Sequence, residues 1–183
     1  MPEYHGRALT DRRDRFEQHV LPHLDAAFNL ARWLTRNDHD AQDVVQDAML
    51  RAYRFYDGLR GEPRPWLLAI VRNACFSWLQ ANRPADMTTL DEAGHEELEA
   101  DGPETLAARS LDRRMLNEAI AALPVQFREV LILRELEDLS YKDIARITDV
   151  PIGTVMSRLA RARRLLSESM RVITAAARLQ VHK

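Results

Sequence analysis

The stretch that decides the fold is residues 139–166, LSYKDIARITDVPIGTVMSRLARARRLL. Ser140 followed by Asp143 is a short form of the capping box, which marks the start of a helix. Pro151 ends that helix, because proline cannot continue it and biases the preceding residue away from helical geometry. The next helix carries one apolar stripe at helical spacing: Val155, Leu159, Ala162 and Leu166. The stretch therefore predicts two short helices separated by a tight corner.

A second face of the latter helix is polar and cationic, and it consists of Thr154, Ser157, Arg158 and Arg161. From residue 151 to residue 178 the sequence holds six arginines and one acidic residue. A solvated arginine-rich surface is the plain alternative, but solvated helices normally intersperse both signs of charge. A cationic face on the second helix of such a pair is what recognition of the DNA major groove requires. The segregation of charge thus favours DNA binding.

Charge also divides the chain into three blocks. The formal net charge of the 183 residues is −2, so the total gives no information about a nucleic-acid partner. Residues 1–84 are nearly neutral, residues 85–106 hold eight acidic groups without any Lys or Arg, and residues 107–183 are basic. This distribution predicts two domains, 1–84 and 107–183, joined by a flexible acidic linker at 85–106.

Several classes of function are excluded by what the sequence lacks. A single cysteine, Cys75, rules out an internal disulfide and a multi-cysteine zinc site, and its apolar neighbours predict a buried side chain. The histidines are scattered and no HExxH, paired-carboxylate or nucleophile motif is present, so we predict neither an enzyme nor a bound metal or cofactor. The N-terminus does not resemble a secretory signal, and no run approaches the roughly 20 apolar residues of a membrane span. We therefore expect a cytoplasmic protein without membrane insertion.

The predicted fold class is all-α, with two small helical domains, because Gly is scarce and no segment alternates with a period of two. A first helix is predicted over about residues 11–35, with a break near Pro22. The turn at 37–40 supplies an N-cap for a second helix over about 41–56. A third helix follows over about 65–82, with a proline at its first position.

The second predicted helix has two distinct faces. Its buried face consists of Ala41, Val44, Val45, Ala48, Ala52 and Phe55. Its exposed face groups Asp43, Gln46, Asp47 and Leu50. In the third helix Trp66 is predicted to lie in the core, since a tryptophan in a helix bundle is usually buried. Helices resume near residue 106 with a break at Pro124, so the second domain is predicted to have four helices.

By these residues the chain resembles the bacterial sigma factors of the sigma-70 family. The family's second conserved region is similar to residues 23–56, HLDAAFNLARWLTRNDHDAQDVVQDAMLRAYRFY, and to residues 64–79, RPWLLAIVRNACFSWL. Its fourth region is similar to residues 123–166, LPVQFREVLILRELEDLSYKDIARITDVPIGTVMSRLARARRLL. Two regions joined by a short linker, with no large third domain, are typical of the extracytoplasmic-function class. The resemblance implies a specificity subunit that binds core RNA polymerase and directs promoter-specific initiation.

The resemblance also implies roles for individual residues. The family's D-x-x-Q-(D/E) pattern, which docks on the clamp coiled coil of the largest polymerase subunit, falls at residues 43–47 here. Polymerase binding is therefore implied for Asp43, Gln46, Asp47 and Leu50. From the residues alone, an ordinary acidic solvated face remains the alternative.

Two groups of residues are implied in promoter binding. The segment 59–82 resembles the part that captures the non-template strand of the minus-ten element, which implies DNA contacts for Arg60, Arg64, Arg72 and Asn73. The end of that segment departs from the family, because Ser77, Gln80 and Ala81 stand where basic residues are usual. Binding of the minus-thirty-five element is implied for Thr154, Ser157, Arg158, Arg161 and Arg164. An arginine can read guanine or simply hold phosphate, and both roles stay open here.

The implied partners are core RNA polymerase, promoter DNA and an anti-sigma factor, with the chain a monomer or a heterodimer with that inhibitor. A stand-alone dimeric helix-turn-helix regulator is the alternative function. It would account for residues 107–183 but leave the exposed face of the second helix and the segment 59–82 without a purpose.

Overall fold

The computed structural model describes residues 12–82 and 105–181. The regular elements in these two ranges are helical and include no strand, which confirms the all-α prediction. The first range holds α1 (residues 12–19), α2 (Leu24–Thr35), α3 (Asp38–Phe55) and α4 (Pro63–Ala81). The second holds α5 (Thr105–Ala121), α6 (Val125–Leu131), α7 (Tyr141–Thr148) and α8 (Ile152–Val181). We call α1–α4 the first helical group and α5–α8 the second.

The break near Pro22 is confirmed. The chain leaves α1 at Val20 and passes through a 3-10 turn, Leu21–His23, before α2 begins. On α1, the ring of Phe16 packs edge-on against Tyr53 and Tyr56, with ring centres 5.2 and 5.4 Å apart. These aromatic contacts, which add to the burial of apolar area, hold α1 against the end of α3.

Small side chains line the contact between the helices of the first group. The buried alanines of α2 and α3 are Ala27, Ala31, Ala41, Ala48 and Ala52. They allow the helices to approach closely, while Leu67, Leu68 and Val71 of α4 fill the space opposite. Cys75 is buried in α4 as predicted, and burial raises the pKa of its thiol to about 12. That thiol therefore behaves as a small apolar side chain.

The prediction of a buried side chain is wrong for one residue of α3, Phe55. Phe55 is 66% exposed, although its spacing along α3 matched the buried face. The reason is that α3 ends at Phe55 and the chain continues as a 3-10 turn, whose different rotation per residue brings Tyr56 to the core instead. Trp66 and Trp78, in contrast, are partly buried and pack on the core cluster.

The second group begins with two helices that meet at Pro124, as predicted. After α6 the chain widens into a π-helical segment, Ile132–Leu136, which the backbone N–H of Glu137 closes by donating to the carbonyl of Ile132 at 3.1 Å. The predicted stripe on α8 is confirmed, because Val155, Leu159 and Ala162 are buried and Leu166 is half-buried.

The two helical groups pack against each other. Helix α4 contacts α7, and α2 contacts α6. The buried side chains of both groups form one contiguous apolar cluster. The predicted linker lies outside the described residues except for Thr105 and Leu106, which begin α5. Within the two described ranges, no helix is both long and apolar enough to span a membrane.

Candidate polymerase and nucleic-acid interfaces

The outer face of α3 is exposed, as its spacing predicted, at Asp43, Gln46, Asp47 and Leu50. Leu50 is 59% exposed. The helix starts from a side-chain cap, in which Asn37 accepts a hydrogen bond from the backbone N–H of Asp40 at 3.1 Å. Asp47 pairs with Arg51 one turn later at 2.7 Å. The face therefore presents carboxylates beside an exposed apolar side chain on a regular helix.

An apolar groove of about 740 Å³ lies next to this face, and Gln46 and Leu50 belong to its lining. Its apolar lining comes from α1, α2, α3 and the turn between α1 and α2: Phe16, Leu21, Leu24, Phe28, Val45, Met49, Leu50 and Tyr53. Leu21 and Leu24 are about 40% exposed there, at 41% and 39%. Contiguous exposed apolar surface of this kind marks an interaction site on a soluble protein.

The sequence did not predict this groove. Leu24 continues the helical spacing of Phe16 and Val20, and that spacing would place its side chain in the core. The 3-10 turn Leu21–His23 interrupts that register, so Leu21 and Leu24 lie partly exposed at the groove rather than in the core. The available signal was Pro22, which placed a break at the right position but did not indicate which way the flanking leucines would face.

The four residues predicted to bind the minus-ten element differ in their surroundings. Arg60 and Asn73 are exposed. Arg64, at the start of α4, pairs with Glu137 of the second group at 2.6 Å. Arg72 pairs with Glu129, also of the second group, at 3.0 Å, and its guanidinium lies 4.0 Å from the ring centre of Phe76. Two of the three arginines are thus engaged with carboxylates of the other helical group.

The corner between α7 and α8 has the geometry that the sequence predicted. The hydroxyl of Ser140 accepts a hydrogen bond from the backbone N–H of Asp143 at 3.1 Å and donates one to its carboxylate at 2.6 Å. That hydrogen bond and the nearby Arg146 hold the pKa of Asp143 below its ordinary value. Asp149 ends α7 in a left-handed conformation, with φ 54°, and Pro151 precedes α8.

The residues predicted to bind the minus-thirty-five element lie on the first half of α8. Ser157 and Arg161 are exposed, and Thr154 is half-buried and accepts a hydrogen bond from Ser157 at 3.0 Å through its carbonyl. Arg164 is exposed and lies 3.8 Å from Glu168. Arg158 differs from these, because it is half-buried and donates to Glu129 at 3.3 Å.

Glu129 therefore joins three helices. Its side chain is 1% exposed and accepts from Arg72 of α4 and Arg158 of α8, one arginine on each carboxylate oxygen. Burial raises the pKa of the Glu129 carboxyl, and the two guanidinium groups counteract part of that rise. The second acid at this boundary, Glu137, is 6% exposed and accepts from Arg64 and from the amide of Asn29 at 2.5 Å.

The comparisons with known proteins cover both helical groups. The model described as "Sigma-70 region 2" matches residues 19–84, and that described as "Sigma-70, region 4" matches residues 113–166. The chain is 37% identical over 151 residues to the ECF RNA polymerase sigma-E factor of Haemophilus influenzae, over 77% of this chain and 79% of that protein. It is also 37% identical over 141 residues to that of Escherichia coli K12, covering 72% and 74% of the two chains.

Solved structures of similar architecture exist. The sigma factor RpoE in complex with the anti-sigma factor NepR, from Bartonella quintana, matches with a TM-score of 0.66 and 27% identity, over 86% of this chain and 98% of that one. CnrH, in complex with the cytosolic domain of CnrY, matches with a TM-score of 0.65 over 91% and 94% of the chains, and its 24% identity supports the fold alone.

The chain belongs to the extracytoplasmic-function class of the sigma-70 family. It is a transcription initiation factor that binds core RNA polymerase and directs promoter-specific initiation, and its family is not catalytic. The stand-alone regulator is not favoured, since region 2 matches as well as region 4.

Proposed function

We propose that this sigma factor binds core RNA polymerase through the outer face of α3 together with the apolar groove beside it. The observation that carries the proposal is that Leu50 belongs to both surfaces, with Asp43 and Asp47 exposed on its own helix. Charged groups at the rim of an interface fix its orientation, whereas apolar side chains entering a groove supply most of the affinity. A helical partner with basic and apolar side chains would satisfy both parts.

Promoter DNA would bind on two other surfaces. In the first group these are Arg60, Arg64, Arg72 and Asn73, which supply cations for phosphates and a polar group for an unstacked base. In the second group they are Thr154, Ser157, Arg158, Arg161 and Arg164 on the helix that would enter the major groove. The chain would promote duplex opening without catalysis, because binding flipped-out bases more tightly than paired ones shifts the population towards melted DNA.

We extend three further expectations to this chain. The similar sigma factor RpoE is seen with the anti-sigma factor NepR, so we propose that an inhibitor of that kind binds this chain too. A factor that acts on RNA polymerase works inside the cell, which supports a cytoplasmic location. The proposed domains are residues 1–84 and 107–183, with 85–106 as the acidic linker.

Charge reversal tests the docking face. The double variant Asp43→Lys/Asp47→Lys should lower the affinity for core polymerase by at least about 100-fold, because it replaces complementary charges by like charges. The matched control is Asp112→Lys/Glu118→Lys, which reverses two exposed carboxylates on α5, a helix of the second group. Affinity is measured by fluorescence anisotropy of labelled full-length chain titrated with core polymerase.

Circular dichroism checks that both double variants remain folded. A folded Asp43→Lys/Asp47→Lys variant with unchanged affinity would show that polymerase docks elsewhere. An equal loss in the α5 control would show that total charge, rather than this face, determines binding.

A further inference from the structure

The first half of α8 carries apolar side chains on its exposed side as well as on its buried side. Ile152 is 46% exposed and Met156 is 53% exposed. Ala160 is exposed one turn further along. The three residues are four positions apart, so their side chains lie above one another on the helix. We call Ile152, Met156 and Ala160 the exposed apolar stripe.

The charge around the exposed apolar stripe favours a nucleic-acid partner. Between Asp149 and Glu168 the sequence holds four arginines and no acidic residue. Arg161 and Arg164 are exposed on the same half of α8. Single exposed apolar side chains are ordinary on a protein surface, but a stripe set among cations needs a partner that is both anionic and locally apolar. The major groove of DNA combines phosphates at its edges with the methyl groups of thymine at its floor.

Gly153, in the first turn of α8, gives an independent argument for close contact from outside. Its backbone is not in the left-handed region that favours glycine, and a Cβ added there would meet no atom of the rest of the protein within 4 Å. The fold therefore gives no reason for a residue that is less favourable than alanine in a helix. A glycine on an exposed face allows the atoms of a ligand to approach the helix backbone closely.

Thymine is the base that an apolar side chain can recognise. It presents a C5-methyl group in the major groove, where the other three bases are distinguished by their hydrogen-bonding groups. Met156 has an unbranched, flexible side chain that can reach such a methyl group. Ile152 and Met156 are separated by about 6 Å along the helix axis, which corresponds to about two base-pair steps of about 3.4 Å. The two side chains can thus contact methyl groups on neighbouring base pairs.

We propose that Met156 and Ile152 contact thymine methyl groups in the major groove of the minus-thirty-five element and thereby help to determine its sequence. This inference rests on the proposed binding of DNA by α8. It goes beyond that proposal, because the residues assigned there act through hydrogen bonds and charge, whereas these two act through apolar contact. The recognised element should contain thymine at one or two base pairs that face the start of α8.

The test uses the holoenzyme formed from the full-length chain and core RNA polymerase. A promoter library randomised at both elements is bound by the holoenzyme, and the retained duplexes are sequenced. Each thymine of the selected minus-thirty-five element is then replaced singly by uracil, which lacks only the C5-methyl group. Promoter affinity is measured for the parent chain, Met156→Ala and Ile152→Ala. The control is Val172→Ala, which shortens a side chain that is 70% exposed in the second half of α8.

We expect uracil at a contacted position to lower the affinity of the parent holoenzyme about fourfold, which is the effect of burying one methyl group. At the position that Met156 contacts, the same replacement should have no effect in Met156→Ala, because the apolar partner is already missing. Val172→Ala should respond to uracil as the parent chain does.

A second variant tests the close approach of the helix. Gly153→Leu should lower promoter affinity at least tenfold, because its added side chain stands between α8 and the bases. It should not lower the free energy of unfolding in urea, since leucine is a better helix former than glycine and the space around Gly153 is open. Unchanged promoter affinity in Gly153→Leu would show that this turn does not approach the DNA.

Three further outcomes contradict the inference. If no uracil replacement changes affinity while Arg161→Ala still weakens promoter binding, no methyl group is read and the proposed DNA contact of α8 stands. If the uracil effect is the same in the parent chain, Met156→Ala and Ile152→Ala, other residues make the methyl contact. If Met156→Ala lowers the affinity for core polymerase instead, the exposed apolar stripe binds protein. A holoenzyme that binds no promoter at all would overturn the proposed function together with this inference.

Discussion

Arg158 and Arg161 lie one turn apart on α8 but occupy different environments. Arg158 is half-buried and donates to Glu129. Arg161 is exposed, and its guanidinium stands 5.3 Å from the ring centre of Phe127, close enough for a cation–π contact that restrains the side chain. Arg161, one of the arginines proposed for the minus-thirty-five element, is therefore both restrained and accessible.

Replacing Arg161 by alanine should separate base reading from phosphate binding. If the side chain reads a base, Arg161→Ala costs about 1–3 kcal/mol of discrimination at one base pair. If it holds a phosphate, the affinity falls evenly across promoter sequences. The slope of the logarithm of affinity against the logarithm of salt concentration then decreases in magnitude by about 1. The measurement is holoenzyme affinity for a set of promoters with single substitutions, at several salt concentrations. Arg171→Ala, at an exposed position in the second half of α8, is the control, and equal effects of the two variants would contradict a specific role of Arg161.

At the scale of the elements, local signals made α7 and α8 predictable. Ser140 caps α7 and Pro151 separates the two helices, and each acts over a single turn of chain. The exposed face of α3 was predictable for the same reason, since helical spacing alone fixes which residues share a side. Phe55 was misplaced because the spacing does not reveal where α3 gives way to a 3-10 turn.

Contacts between distant parts of the chain could not be predicted in this way. Glu129 meets Arg72 and Arg158 across 57 and 29 residues of sequence. Periodicity within one helix indicates that Glu129 lies on some face of α6, but not which element covers that face. For this reason the sequence analysis predicted DNA contacts for Arg72 and Arg158, whereas the pairing of each with Glu129 is visible only in the folded chain.

The capping box of α7 supports a prediction about pH. Ser140→Ala should lower the free energy of unfolding by about 1 kcal/mol at pH 7, because the first turn of α7 loses its cap. Hydrogen bonding to Ser140 and Arg146 depresses the folded pKa of Asp143, so its contribution is present above the unfolded pKa and is lost as pH falls through the folded pKa. The difference in the free energy of unfolding between the parent chain and Ser140→Ala should therefore decrease below about pH 4.

Urea unfolding of both chains from pH 7 to pH 3 measures this difference. Ser140→Thr is the control, because its hydroxyl can accept from the N–H of Asp143 and donate to its carboxylate as serine does. A parent–alanine difference that stays constant over the whole pH range would contradict coupling between the cap and the charge of Asp143.

At the scale of the whole molecule, the contact between the groups joins two small cores into one. Neither group has a large core of its own, whereas their buried side chains together form a contiguous cluster. The ion pairs of Glu137 with Arg64 and of Glu129 with Arg72 add charged contacts between the two groups. The two groups should consequently unfold together while this contact holds and independently once it is broken.

Two spectroscopic probes can distinguish these cases, because the three tryptophans, Trp33, Trp66 and Trp78, all lie in the first group. Tryptophan fluorescence reports on that group, whereas far-ultraviolet circular dichroism reports on both. In the parent chain the two urea transitions should coincide. They should also coincide in the control Glu135→Gln, because Glu135 pairs with Arg163 within the second group. In Glu129→Gln/Glu137→Gln they should differ by at least about 1 M urea, since breaking buried ion pairs costs about 3–5 kcal/mol and m-values are about 1–3 kcal/mol/M. Separate transitions in the parent chain would show that the two groups were never coupled.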